Sequence, residues 1–185
     1  MNYLIYGSKD FAFLLKDMLD FHDKKFIGFI DDYNSGNDIV GSFDYVINKY
    51  AIGDVSIVLG IGYNNLHARW NIFNKIKRAG YTIATLIHKN AYVRHKDNIG
   101  EGSIIMANAT VDCNAIIREG VVVWPGVVVN HDSVISRNTF LSPSAVICGF
   151  VTVGDDCFIG AGAVITDHCY VPAKSFIKAN TIFKK

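Results

Sequence analysis

The chain has 185 residues, half of them hydrophobic, which is enough for one large domain or two small ones with buried cores. Its formal net charge of +1 argues against a nucleic-acid or anionic-membrane binder, and no apolar run approaches the ~20 residues of a membrane helix. The N-terminus lacks the layout of a signal peptide, and the four cysteines form neither a CxxC pair nor a zinc spacing. We therefore expect a cytoplasmic protein with reduced thiols.

Strand and helix patterns alternate in the first ninety residues, which predicts a small, Rossmann-like parallel α/β sheet. Apolar runs predict four strands, over residues 2–6, 26–30, 55–59 and 82–87. Apolar side chains at helical spacing predict one helix at residues 11–19. They predict another that begins at an Asn64 cap and stops at Gly80.

Glycine and polar residues follow three of these strands, at the edge where parallel sheets bind ligands. They are Gly7, Ser8 and Lys9, then Asp31 and Asp32, and finally Gly62 and Tyr63. Backbone N–H groups at a helix start favour phosphate, and the acidic pair could accept ribose hydroxyls or a base N–H. Turn formation alone would account for the same residue types. No complete GxGxxG is present, which argues against a nicotinamide dinucleotide.

From Val93 onward, every sixth residue is aliphatic or Phe for sixteen consecutive positions, ending at Phe183. Four residues after most of these positions stands a small or β-branched residue, as at Ser103, Ala109 and Ala115. Neither a helix nor a simple strand has a period of six, whereas the hexapeptide repeat of a parallel β-helix does. The fifteen hexads predict a coil of about five turns, each with three flat faces.

The order of motifs over essentially the whole chain resembles the bacterial nucleotide-amino-sugar N-acetyltransferases. That group is classed with the sialic acid O-acetyltransferases among the left-handed β-helix, hexapeptide-repeat acyltransferases. The stretches that carry the resemblance are Tyr6-Gly7-Ser8, Gly28-Phe-Ile-Asp31-Asp32, Gly60-Ile-Gly62, residues 84–91 and Asn130-His131-Asp132. The resemblance implies a nucleotide-sugar-binding domain over 1–90 and a left-handed β-helix over 91–185 that binds acetyl-CoA. It also implies a homotrimer with active sites in the clefts between coils.

The resemblance also assigns individual residues. It makes His131 the catalytic histidine, Asp132 its acidic neighbour and Gly149 the residue whose backbone N–H faces the thioester oxygen. Asp31 and Asp32 correspond to the acidic pair that contacts the nucleotide. The residues expected to contact coenzyme A are Phe140, which stands where the family often has a second histidine, together with Gly149, Ala161 and Lys178. Its phosphates are expected to meet Lys174, Lys178, Lys184 or Lys185.

His131 lies two places after Val129, on the outside of the coil, where it is available for chemistry. An amine that attacks a thioester must lose a proton, and an imidazole is a suitable base near neutral pH. Asp132 could fix the imidazole tautomer, but adjacent strand residues face opposite ways, so their contact requires a bend. We expect direct acetyl transfer to a nucleotide-linked amino sugar, 4-amino-4,6-dideoxy in type, for lipopolysaccharide O-antigen or other surface glycan synthesis.

Several alternatives stay open from the sequence. A sugar hydroxyl could be the acceptor, as in the sialic acid branch, or the chain could bind a nucleotide sugar without catalysis. The nucleotide could be UDP, dTDP or GDP. A zinc enzyme is disfavoured because His95 and His131 lie two turns apart and no third histidine follows before residue 168.

Apolar residues at outward positions of the coil favour a trimer: Val122, Trp124, Val128 and Phe140.

Overall fold

The structure, a computed structural model, describes residues 1–22 and 24–184. The chain divides into two compact units, Met1–Ala84 and Thr85–Lys185. This boundary falls six residues before the one expected from the sequence. Leu86–Ile87 explains the difference, because this segment is a strand that pairs in parallel with Ile104–Ile105 of the coil. A single strand over residues 82–87 was expected, and this prediction is wrong. Ile83 forms only an isolated bridge to Ile57, and the strand itself comprises Leu86–Ile87.

The first unit is an α/β layer built on a four-stranded sheet. Its elements in chain order are β1 (Asn2–Tyr6), α1 (Asp10–Phe21), β2 (Lys25–Ile30), β3 (Ile39–Gly41), α2 (Phe43–Lys49), β4 (Val55–Leu59), a 3-10 turn (Tyr63–Asn65) and α3 (Leu66–Arg78). The strands are all parallel and lie in the order β3-β2-β1-β4. The chain order therefore reverses between β1 and β4, which makes their carboxyl ends a topological switch point.

Helix α1 lies against β1 and β2 and buries Ala12, Leu15, Met18 and Leu19. Of the face expected from the helical spacing, Leu15, Met18 and Leu19 are buried, whereas Phe11 is half-buried and Leu14 is exposed. The cap of α3 is Asn65 rather than the expected Asn64, and its side chain accepts a hydrogen bond from the Ala68 N–H at 2.9 Å. The sequence analysis missed β3 and α2. Both are short, so neither carries enough periodic positions to be recognised.

The second unit is the parallel β-helix predicted from the hexads, in the left-handed form that the family resemblance implied. Strands of the first face are Leu86–Ile87, Ile104–Ile105, Val122–Val123, Phe140–Leu141, Phe158–Ile159 and Phe176–Ile177. Strands of the second face are Tyr92–Val93, Thr110–Val111, Val128–Val129, Val146–Ile147, Val164–Ile165 and Ile182–Phe183. Strands of the third face are Ile116–Ile117, Val134–Ile135, Thr152–Val153 and Tyr170–Val171, and a 3-10 turn (Lys96–Asn98) precedes Ile99, which bridges to Ile117. Partners stand 18 residues apart, as Val122 does from Ile104 and Phe140.

The hexad positions form the core of the coil, as predicted. The aliphatic residues Val123, Val129 and Ile135 have no exposed surface, and neither does the small Ala145 at the fifth position of its hexad. At the corners, the fourth residue of each hexad from Ile99 onward adopts a left-handed backbone, for example Asn114 with φ of 57°. After glycine, Asn and Asp tolerate this conformation best, which explains their frequency at these corners.

Two of the outward apolar positions differ from expectation. Val122 and Phe140 are completely buried within the chain, whereas Trp124 and Val128 keep part of their surface exposed. A hexad count predicts the side of the strand on which a residue lies, but not whether another part of the chain covers it. In the part of the chain that the structure describes, no helix is long and apolar enough to cross a membrane.

Candidate active site

His131 and Asp132 form a hydrogen-bonded pair on a corner of the coil. The distance between His131 Nδ1 and Asp132 Oδ2 is 2.9 Å, and both side chains are partly exposed. The bend that this contact requires is present, because Asp132 has a left-handed backbone with φ of 57°. That conformation turns the Asp132 side chain back toward its neighbour instead of to the opposite face.

The electrostatics of the pair determine the histidine tautomer. The pKa of Asp132 lies below its ordinary value, first because of the hydrogen bond with His131 and then because Asn114 donates from Nδ2 to Oδ1 at 3.0 Å. An ionised carboxylate can only accept, so His131 must donate through Nδ1–H. Nε2 of the neutral ring then carries the lone pair and is the atom able to take a proton.

Gly149 supports the imidazole from the next turn. A Cβ built on Gly149 would lie 2.8 Å from Cε1 and 2.9 Å from Nε2 of His131, so the ring rests on this backbone. Only glycine gives that approach without a clash. The stacking of turns thus places Nε2 of His131 next to a stretch of main chain without a side chain.

Asp167, one turn beyond Gly149, also contacts that backbone. Its Oδ1 accepts the hydrogen bond of the Gly149 N–H at 2.9 Å. Gly149 was expected to direct this N–H at the thioester oxygen, but here the donor is already engaged. Gly149 is buried, and a buried N–H requires a partner. The sequence analysis missed Asp167, although it lies 18 residues after Gly149 and 36 after His131, a spacing that the period of the coil makes available.

Two aromatic rings border the same corner. Phe150 and His168 stack with centroids 4.8 Å apart and an angle of 4° between ring planes, and the ring of His131 meets Phe150 edge-on at 5.2 Å. Phe150 has a left-handed backbone with φ of 58°, which is unfavourable for a bulky side chain, yet about half of its surface is exposed. His131 therefore has an exposed aromatic wall on one side.

In the first unit, the carboxyl ends of the strands converge as expected. Ser8 donates its hydroxyl hydrogen bond to Asp31, which follows β2. A Cβ on Gly7 would lie 2.8 Å from the Gly60 carbonyl oxygen after β4, and Gly7 has φ of 112°, so the close approach requires glycine. Lys9 is exposed at the N-cap of α1 and forms no side-chain cap there.

The carboxylates of Asp31 and Asp32 are engaged within the chain. Asp31 accepts from Ser8, from the N–H groups of Tyr33 and Asn34 at 2.9 Å, and from the Asn34 amide. Burial alone would raise the pKa of Asp31, but these hydrogen bonds outweigh it and lower the pKa from 3.8 to about 2. Asp31 thus organises the loop after β2.

Asp32 has a different set of partners. It accepts from Tyr6, from the Phe43 N–H at 2.8 Å and from Lys75 Nζ at 3.2 Å. These contacts link the end of β2 to Phe43 at the start of α2 and to Lys75 in α3. Asp32 therefore has a structural role in this unit.

Gly62 precedes the 3-10 turn that contains Tyr63, and the Tyr63 ring is about half exposed.

Comparisons with known proteins find matches to both units of the chain. Residues 132–167 match the family model for the bacterial transferase hexapeptide with six repeats. The acetyltransferase domain of PglB from Neisseria gonorrhoeae, in complex with acetyl coenzyme A, is 22% identical with a TM-score of 0.88, over 98% of this chain and 92% of that one. The chain has the fold of this acetyltransferase domain. None of the curated proteins matches it in sequence.

Two further solved structures share the fold. A histidine-to-alanine mutant of GDP-perosamine N-acetyl transferase from Caulobacter crescentus, in complex with CoA and GDP-perosamine, is 22% identical with a TM-score of 0.91, over 100% of this chain and 89% of that one. WeeI from Acinetobacter baumannii is 19% identical with a TM-score of 0.72, over 98% and 96% of the two chains. The predicted relation to the hexapeptide-repeat acyltransferases is confirmed at the level of the fold.

The residues expected to contact coenzyme A fall into two groups. Ala161, Lys174, Lys178 and Lys184 are exposed on the coil and are accessible to a ligand. Lys185 lies outside the described residues. Phe140 has no exposed surface, so the expectation that it contacts coenzyme A is not supported. Within residues 1–22 and 24–184, no group of three or more His, Cys, Asp or Glu side chains could hold a metal ion.

Proposed function

We propose that this protein is an N-acetyltransferase that moves the acetyl group of acetyl-CoA to the amino group of a nucleotide-linked sugar. The observation that carries the proposal is the His131–Asp132 pair, with its ring seated on Gly149 at the surface of a hexapeptide-repeat coil. The geometry provides one base, oriented by one carboxylate. It requires no covalent intermediate on the enzyme.

His131 Nε2 takes the proton that the amine loses as it attacks the thioester carbon. Asp132 stabilises the imidazolium that forms, because its carboxylate accepts from Nδ1. As the C–S bond breaks, the imidazolium returns a proton to the thiolate of coenzyme A. A base positioned in this way contributes about 10²- to 10⁴-fold to the rate.

The first unit supplies the nucleotide site in this proposal. The switch point between β1 and β4 is where such sheets bind ligands, and the start of α1 lies after the Gly7-Ser8-Lys9 loop. The helix N-terminus favours a diphosphate, and exposed Lys9 adds a positive charge. UDP, dTDP and GDP share this diphosphate chemistry.

The remaining parts of the proposal concern assembly and location. Exposed aromatic residues on the coil, among them Tyr170 and Phe176 with more than 60% of their surface accessible, favour burial against neighbouring coils in a homotrimer. All four cysteines are free, which is compatible with the reducing cytoplasm, where acetyl-CoA is available for surface glycan synthesis.

The test is acetyl transfer by purified protein to UDP-, dTDP- and GDP-linked 4-amino-4,6-dideoxyhexoses, followed by thiol release and by product mass. We expect one of these sugars to be acetylated. His131→Ala should lower turnover by at least ~10²-fold, while nucleotide-sugar binding persists. His95→Ala is the matched control, because His95 occupies the same position of the coil two turns earlier. Near-normal turnover of His131→Ala would contradict the assignment.

A further inference from the structure

His131, Gly149 and Asp167 form a column on one corner of the coil. They stand 18 residues apart, one turn each, so His131 and Asp167 have Cα atoms two strand spacings apart, ~9.6 Å. The imidazole contacts Gly149 from the preceding turn, and the Asp167 carboxylate of the following turn accepts the Gly149 N–H. Since Gly149 has no side chain, the base and the second carboxylate face the same bare segment of backbone.

The Asp167 carboxylate is fixed but not saturated. Oδ1 accepts the Gly149 N–H, and Oδ2 has no hydrogen-bond partner among the residues that the structure describes. The Asp167 side chain is exposed, so a ligand can reach it. A carboxylate that is held at one oxygen and open at the other is suited to binding a cation.

Amino and hydroxyl acceptors differ in charge at neutral pH. A primary amine is largely protonated, as an alkyl ammonium is in lysine, whereas a hydroxyl is neutral. We propose that Asp167 Oδ2 binds the ammonium group of the acceptor beside His131 and thereby selects an amino sugar over a hydroxyl sugar. This inference rests on the proposed function and names the acceptor class of the same site.

The proton balance of the reaction is compatible with this role. The bound nitrogen begins as an ammonium and ends as an amide, so it loses two protons, and His131 Nε2 takes each in turn. One proton passes to the sulfur of coenzyme A when the C–S bond breaks, and the other leaves to solvent. The Gly149 N–H then serves to hold Asp167 in place rather than to bind the thioester oxygen.

Asp167→Asn is the decisive variant, because its amide oxygen can still accept from the Gly149 N–H while the negative charge is removed. Equilibrium binding is measured by calorimetry for a nucleotide-linked 4-amino sugar and for its 4-hydroxyl counterpart, using the nucleotide that the wild-type protein binds best. We expect the affinity for the amino sugar to fall roughly tenfold to a hundredfold and that for the hydroxyl sugar to stay the same. The loss should shrink at 1 M salt, where exposed charges are screened.

Asp156→Asn is the matched control, since Asp156 is a corner carboxylate of the coil that accepts from Asn138 at 2.6 Å. An unchanged preference between the two sugars in Asp167→Asn would overturn the inference. So would Asp167→Ala binding acetyl-CoA more tightly than wild type, because Asp167 would then compete with the thioester for the N–H. If the proposed function itself is wrong, the result is a different one: the wild-type protein would bind the amino sugar without acetylating it.

Discussion

Gly149→Ala tests whether the contact between the imidazole and the bare backbone is needed for activity. The new methyl group would lie 2.8 Å from Cε1 and 2.9 Å from Nε2 of His131. Ordinary contact begins at 3.4 Å, so the ring must retreat by at least about 0.6 Å. The retreat also tilts Nδ1 away from Asp132, whose carboxylate holds the ring at 2.9 Å.

The expected effects on activity and stability differ in size. Misplacing a catalytic group by about 1 Å can reduce the rate by 10²-fold, so we expect turnover to fall roughly tenfold to a hundredfold. This loss corresponds to about 1.4–2.7 kcal/mol in the barrier. The free energy of unfolding should change by only about 1 kcal/mol, the lower end of overpacking costs, because the partly exposed ring can turn toward solvent.

The assay measures kcat for the amino sugar and the melting temperature, in wild type, Gly149→Ala, His131→Ala and the double variant. Gly36→Ala is the neutral control, because its Cβ meets nothing closer than 3.7 Å. If the methyl acts only through the ring, Gly149→Ala adds no further loss once His131 is Ala. Wild-type turnover in Gly149→Ala, or a full additional loss in the double variant, would refute the reasoning.

Two other predictions concern acid stability and assembly. The folded pKa of Asp31 is about 2, below its ordinary 3.8, so its stabilising contribution is present above pH ~4 and is lost as pH falls towards 2. The melting temperature of wild type should therefore exceed that of Asp31→Asn at pH 6, and the difference should narrow between pH 4 and pH 2; a constant difference would contradict the lowered pKa. Light scattering should give three times the 20.5 kDa mass of one chain, whereas an active monomer at assay concentration would exclude shared active sites.

The coil could be predicted in detail because its periodicity is strict and local. Each hexad aliphatic is buried by the turns directly above and below it, so burial at Val123 or Ile159 follows from the repeat itself. The same repeat predicts the corner position of His131. In the first unit the pattern is shorter, and it predicted three strands of the sheet and two helices while missing β3 and α2.

The tertiary structure determined which hydrogen bonds the residues of the candidate site form. The sequence predicted His131 and Asp132 as neighbours, but the left-handed backbone of Asp132 makes them a hydrogen-bonded pair. The Gly149 N–H points to Asp167 rather than to an open position, since a buried donor takes the acceptor that the next turn provides. Such contacts depend on side-chain rotamers and on the stacking of turns.

The sequence by itself determined the repeat architecture and indicated His131 and Asp132 as the candidate base and its carboxylate, because strict spacing and residue chemistry are local properties of the chain. The surroundings of the other candidate residues became visible only in three dimensions. Phe140 and Asp31 have suitable chemistry for ligand contact, yet one is buried and the other is satisfied by its own loop. Burial and hydrogen-bond satisfaction depend on residues that are distant in sequence, and only the packed structure brings those residues together.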